Sequence, residues 1–161
     1  MKSVVIYYSM SGNTEYVAKC IQDKINADLI RIEPKKEYPN KGFKKFFWGG
    51  KSAIMGDTPE LEEYEFDADK YDCIIFGTPV WASTFTPPIR SFISKNKEKL
   101  EGKKIAAYTC YSGSGAENAI EKLRKYLEID ELEAELFLID PKDKKSDEKD
   151  NQIEEFCENL R

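Results

Sequence analysis

The chain alternates short apolar runs with stretches in which apolar residues recur every three or four positions, and it does so five times. Ser3-Val4-Val5-Ile6-Tyr7-Tyr8 is continuous, apolar and β-branched, as a central parallel strand buried on both faces should be. Val17, Cys20, Ile21 and Ile25 then share one face of a first helix. Leu29-Ile30-Arg31-Ile32 reads as a second strand, and its charged member places it towards a sheet edge. Segment 34–64 is less regular. Its Phe43, Phe46, Phe47, Ala53, Ile54 and Met55 fit a second helix broken at Gly49-Gly50, closed by a turn at Gly56-Asp57-Thr58-Pro59.

Asp72-Cys73-Ile74-Ile75-Phe76 is a third strand stopped by Gly77-Thr78-Pro79, with residues 80–86 as a loop. Pro87-Pro88 opens a helix carrying Ile89, Phe92 and Ile93 inward. Lys104-Ile105-Ala106-Ala107-Tyr108 is a fourth strand, residues 111–115 a loop, and Ala116, Ala119, Ile120, Leu123 and Leu127 the stripe of a fourth helix. Glu135-Leu136-Phe137-Leu138-Ile139 is a fifth strand. A closing helix with Ile153, Phe156, Cys157 and Leu160 follows the charged linker 141–149. Five such units predict one α/β domain over residues 1–161, a three-layer α/β/α sandwich around a five-stranded parallel sheet.

Composition removes whole classes of chemistry. The sequence has no histidine, which excludes Ser-His or Cys-His catalysis and His-ligated zinc or iron. Cys20, Cys73, Cys110 and Cys157 form no C-x-x-C pair and read as reduced structural thiols. A formal charge of −5 argues against nucleic acid as a partner. With 34% charged residues, no apolar run approaching the ~20 needed to span a bilayer and no signal-peptide pattern, the expectation is a cytoplasmic protein with no membrane partner. Lys35, Lys36, Lys41, Lys44, Lys45 and Lys51 precede an acidic run from Asp57 to Asp72, which fits two opposite patches or simply solvated faces.

Ligands in doubly wound sheets bind beyond the carboxyl ends of the strands, here the loops after the first, third and fourth. Those loops are rich in Ser, Thr and Gly. In Ser9-Met10-Ser11-Gly12-Asn13-Thr14, hydroxyls and the Asn13 amide can converge with the free N–H groups that open a helix. That makes an anion site without Lys or Arg, and the same residues equally suit an ordinary N-cap. Trp81 stands just outside the third strand, as an apolar wall for a flat ligand or as packing against Phe85. Tyr111-Ser112-Gly113-Ser114-Gly115 is either a simple strand-to-helix turn or a place where a ligand lies on the backbone. Trp48 fits a cover over the site, a docking surface or core packing.

Tyr8-Ser9-Met10-Ser11-Gly12-Asn13-Thr14 resembles the phosphate-binding loop of flavodoxins, and nearly the whole chain follows that family's pattern. The resemblance implies a flavodoxin-like fold with sheet order 2-1-3-4-5, the order given for flavodoxin itself. It implies FMN as cofactor, its phosphate on Ser9, Ser11, Gly12, Asn13 and Thr14, with Met10 of the same loop also at the cofactor. Thr78-Pro79-Val80-Trp81-Ala82 resembles a Pro-x-Trp second flavin loop, with Thr78 near the ribityl chain and Trp81 against the ring. Tyr111, Ser112, Gly113 and Gly115 resemble the third, at the pyrimidine edge. Many flavodoxins carry a glycine in the second loop, and this chain has none there.

The expected function is a redox carrier, with no catalytic side chain and no metal, that passes electrons between partner proteins as a monomer or weak dimer. The alternative is an NAD(P)H-dependent FMN oxidoreductase acting on quinones or similar small acceptors. Other activities of related architecture lack their residues. A receiver domain needs acidic strand ends where Ser9 and Gly77-Thr78 stand, a Cys-x5-Arg phosphatase fails at Ala116, and a Walker loop needs a Gly-Lys pair.

Overall fold

The computed structural model describes residues 1–39 and 42–161, with side chains omitted for 42–47. Phe43, Phe46, Phe47, Lys44 and Lys45, as side chains, and Lys41 altogether therefore lie outside the described residues.

Among the described residues six strands and five α-helices follow one another: β1 (Ser3–Tyr7), α1 (Asn13–Ile25), β2 (Asp28–Arg31), α2 (Gly42–Met55), β3 (Cys73–Trp81), β4 (Thr84–Phe85), α3 (Pro87–Leu100), β5 (Lys104–Tyr111), α4 (Ala116–Leu127), β6 (Glu135–Ile139) and α5 (Asp147–Glu158). The parallel strands lie in the order β2-β1-β3-β5-β6, with β4 antiparallel on β3. Counting parallel strands alone, this is the expected 2-1-3-4-5.

Strand periodicity divides the core into two layers. Val4, Ile6, Ile74, Phe76 and Ala107 face α3 and α4, meeting Ile89, Phe92, Ile93, Ile120 and Leu123. Val5, Tyr7, Ile75, Ala106 and Tyr108 face the other way, onto Val17, Ala18 and Ile21 of α1 and Ile153, Phe156 and Cys157 of α5. β2, with one exposed residue and three half-buried, is the edge strand its sequence predicts.

Two boundaries differ from the sequence reading. β3 does not stop at Gly77 but runs to Trp81, and residues 80–86 form a hairpin rather than a loop. Gly77 ends no strand: a Cβ there would lie 2.2 Å from the Tyr108 hydroxyl oxygen, so the glycine admits the neighbouring ring of β5. Pro79 is tolerated because pairing with β1 ends at Gly77. The second difference is α2, which runs unbroken through Gly49-Gly50. A Cβ on Gly49 would lie 3.1 Å from the Trp81 ring, so the glycine lets the helix approach that indole. Such contact outweighs the ~1 kcal/mol a helical glycine costs relative to alanine.

Smaller shifts follow local chemistry. β5 extends to Tyr111 because β6 pairs with it along that length, Tyr111 opposite Ile139. α5 starts inside the expected linker, at Asp147. The Ser146 hydroxyl accepts a bond from the Lys149 N–H, and Asp147, Glu148 and Asp150 occupy the positive end of the helix dipole. The basic and acidic runs are partly adjacent, since Pro34 bridges Leu61 and the Lys35 ammonium lies 3.7 Å from the Glu60 carboxylate. Among the described residues no helix is long and apolar enough to cross a membrane.

Candidate functional site

The carboxyl ends of β1, β3, β5 and β6 surround a cleft of about 290 Å³. It is lined by Met10, Ser11, Asn13 and Thr14 from the first loop and by Pro79, Val80, Trp81 and Ala82 from the hairpin. Cys110, Tyr111, Ser112, Gly113 and Ser114 come from the end of β5 and the loop after it, Gly50 from α2 and Asp140 from the end of β6. A cleft of this volume, mixing an aromatic wall with a few polar groups, has the character of a small-molecule site.

The first loop is built as an anion cradle. Gly12 takes a left-handed conformation (φ 96°) and caps α1, while the Ser9 hydroxyl, almost wholly buried, accepts the Glu15 N–H at 3.2 Å. Among the described residues, the N–H groups of Ser11, Gly12, Asn13 and Thr14 have no protein acceptor. They point out of the positive end of α1, where an anion satisfies them. Ser9 thus serves the cap while its neighbours stay available. From below, the Tyr108 hydroxyl donates to the Thr14 carbonyl at 2.8 Å through the gap left by Gly77. Arg31 donates to the Ser9 carbonyl at 3.0 Å, and its charge is met by Glu15 and Glu33.

Asn13 departs from its expected role. Its side-chain oxygen accepts the Lys142 N–H at 2.8 Å and its nitrogen donates to the Asp143 carboxylate at 3.2 Å, so the amide ties the first loop to the segment after β6.

The second loop is a tight hairpin. Ala82 (φ 50°) and Ser83 (φ 57°) turn the hairpin with left-handed backbone, in the place where hairpins usually carry Asn-Gly. Trp81 is pinned edge-on by Tyr8 at 5.6 Å and Tyr38 at 5.1 Å, with Gly49 against its ring. It packs on these groups and on the core cluster that includes Phe85, and still lines the cleft. Thr78 does not line it: fully buried, its hydroxyl donates to the Pro79 carbonyl at 2.8 Å and accepts the Thr86 N–H at 3.0 Å, bracing the hairpin.

In the third loop Gly113 has open space beside it, whereas a Cβ on Gly115 would lie 2.4 Å from the Ser83 hydroxyl. Gly115 therefore docks the hairpin tip, and Gly113 leaves backbone accessible. Ser112 donates to Asp140 at 2.5 Å, and Asp140 also pairs with Lys144 at 2.9 Å. The Lys144 ammonium and the Ser112 hydroxyl hold that carboxyl below its ordinary value. Burial pushes the Cys110 thiol up to about 12, so it is protonated and inert at neutral pH. Trp48 stands away from the cleft, about half exposed, under the Lys51 ammonium at 5.6 Å.

Of the fifteen residues singled out in the sequence, the fold brings Met10, Ser11, Asn13, Thr14, Pro79, Val80, Trp81, Ala82, Tyr111, Ser112 and Gly113 into the cleft. Ser9, Gly12, Thr78 and Gly115 support it from outside. Sequence reasoning missed Gly50, Cys110, Ser114 and Asp140. Asp140 carried a usable signal, since it ends a parallel strand on the side where such sheets bind ligands.

The chain matches the sequence model of a family described as Flavodoxin over residues 2–152. Among solved structures it is similar to a flavoprotein from Lactobacillus acidophilus in complex with FMN, at 23% identity and TM-score 0.72, covering 88% of this chain and 95% of that one. It is also similar to the two-electron reduced flavodoxin of Megasphaera elsdenii, at 17% identity and TM-score 0.61, covering 98% and 99%. Flavodoxin 1 from Bacillus cereus aligns at 19% identity and TM-score 0.56, covering 99% and 97%. Those structures share the fold, and the match across 2–152 places this chain in the flavodoxin family.

Proposed function

We propose that the cleft binds FMN without a covalent bond and that the chain carries electrons between protein partners. One observation carries the reading: Ser11, Asn13 and Thr14, whose N–H groups have no protein acceptor among the described residues, line the same cleft as the pinned ring of Trp81. An anionic phosphate fits the first and a flat tricycle the second. The similar flavoprotein from Lactobacillus acidophilus, solved in complex with FMN, supports the same assignment.

Bound FMN supplies the electron chemistry, and the protein's part is binding, orientation and electrostatics. Ser11, Gly12, Asn13 and Thr14 hold the phosphate through their backbone N–H groups. Trp81 gives the ring an apolar wall, fixed in advance by Tyr8, Tyr38 and Gly49, so little ordering is needed on binding. Backbone around Gly113 is free for the polar edge of the ring. Of the side chains lining the cleft, Cys110 keeps its proton at neutral pH and Asp140 is ionised and paired. Close to the cleft, α2 exposes Ile54 and Met55 beside Arg90 and Lys122, an apolar surface edged with positive charge where a partner can dock.

The test is anaerobic reduction of the FMN-loaded protein followed by visible absorbance. A carrier is bleached by dithionite and is inert to NADH and NADPH over minutes. Rapid bleaching by either nucleotide replaces this reading with an oxidoreductase, and failure to take up FMN removes both.

A further inference from the structure

We propose that Lys142, distant in sequence from the first loop, supplies the cation of the phosphate site and so sets the preference for FMN over flavin without phosphate. The inference rests on the FMN reading and adds a residue to it. Residues 9–14 contain no Lys or Arg. The segment after β6 brings one to them: a Cβ on Gly12 would lie 3.0 Å from the Lys142 ammonium nitrogen and 3.5 Å from its Cδ, so the side chain lies across the loop's glycine.

Two bonds hold the backbone of this segment against the loop. The Lys142 N–H donates to the Asn13 side-chain oxygen at 2.8 Å, and the Asn13 nitrogen donates to Asp143 at 3.2 Å. The side chain of Lys142 has no carboxylate partner among the described residues, whereas its neighbour Lys144 is paired with Asp140.

A cation at this end of the cleft adds to what the N–H groups supply. Asp140 and Asp143 both lie close to the loop, and a phosphate monoester brings about −1.5 to −2 more at neutral pH. N–H groups and a helix dipole orient such an anion but carry no net charge. Asp140 is already paired with Lys144, so Lys142 offsets Asp143 and the incoming anion, and being exposed it does so in a manner that salt screens. Asn13, which accepts the Lys142 N–H, positions that charge.

The test measures dissociation constants of FMN and riboflavin for the apo-protein by flavin fluorescence, at low and high salt, for wild type and Lys142→Ala, Lys142→Glu and Lys142→Arg. Removal of the charge weakens FMN about fivefold, as expected of a solvent-exposed pair, and leaves riboflavin unchanged. Reversal weakens FMN further, Lys142→Arg retains affinity, and the salt dependence of FMN binding flattens in Lys142→Ala. Unchanged FMN affinity in both Ala and Glu variants overturns the inference while leaving the cofactor reading intact. Equal loss for both flavins also overturns it, showing the segment to be a structural latch only. A wild type that binds neither flavin overturns the cofactor reading and this inference with it.

Discussion

Single side chains decide the shape of this site, and the most constrained is Gly77. Its missing Cβ is the passage through which Tyr108, itself fully buried, reaches the Thr14 carbonyl under the first loop. Gly77→Ala forces that ring or the strand to move and is expected to destabilise the fold on the order of 3 kcal/mol, the cost of overpacking a core that cannot relax. Chemical denaturation measures it, and a loss under about 1 kcal/mol would show that the ring has room to move. Trp81 is the matching case for the ligand. Trp81→Ala is expected to raise the emission of bound flavin, since a stacked indole quenches it, and to weaken flavin binding about tenfold. Unchanged emission would show that the indole's packing on Tyr8 and Tyr38 is its whole role. Much of this is legible in the sequence, because loop hydroxyls and a tryptophan outside a strand are local signals. The partners of Asn13 are not, because Lys142 and Asp143 are 129 and 130 positions away and only the fold brings them together.

Among the elements, the parallel strands and α1, α3 and α4 are legible because each carries one strong period. The hairpin is not, for a physical reason. Its turn places Ala82 and Ser83 in left-handed backbone, where glycine or asparagine would have announced it, and the contact of Ser83 with Gly115 holds that turn in place. A non-glycine residue there is strained. Ser83→Gly is accordingly expected to stabilise the protein by about 1 kcal/mol without weakening flavin binding, because Ser83 does not line the cleft. Thermal melting tests this, and a lower melting temperature would mean that the Ser83 contacts outweigh the strain. In α2, Gly49-Gly50 mark close approach to Trp81 and not the break that the sequence suggests. Glycine has two meanings, and a sequence does not separate them.

Across the whole molecule, acidic side chains held by cations set the pH response. Asp28 is kept below its ordinary 3.8 by Lys2 and Tyr71, and Asp140 by Lys144 and Ser112. Carboxyls depressed in the folded state contribute stability that is complete above the unfolded value and is lost as pH falls through the folded one. The urea midpoint is therefore expected to hold from neutral pH to about 5 and to fall below about 4, less steeply in Asp140→Asn. A midpoint unchanged down to about pH 3 would contradict those assignments.

The proposed site takes both ends of FMN in one cleft, phosphate on the N–H groups of the first loop and ring on Trp81, and the two flavins that differ only in the phosphate separate those halves. The decisive experiment titrates the wild-type apo-protein with FMN and with riboflavin, following fluorescence. One FMN per chain with quenched emission is predicted, bound at least about tenfold more tightly than riboflavin, as charge-assisted bonds to the phosphate require. No uptake, or equal affinity for the two flavins, would contradict it.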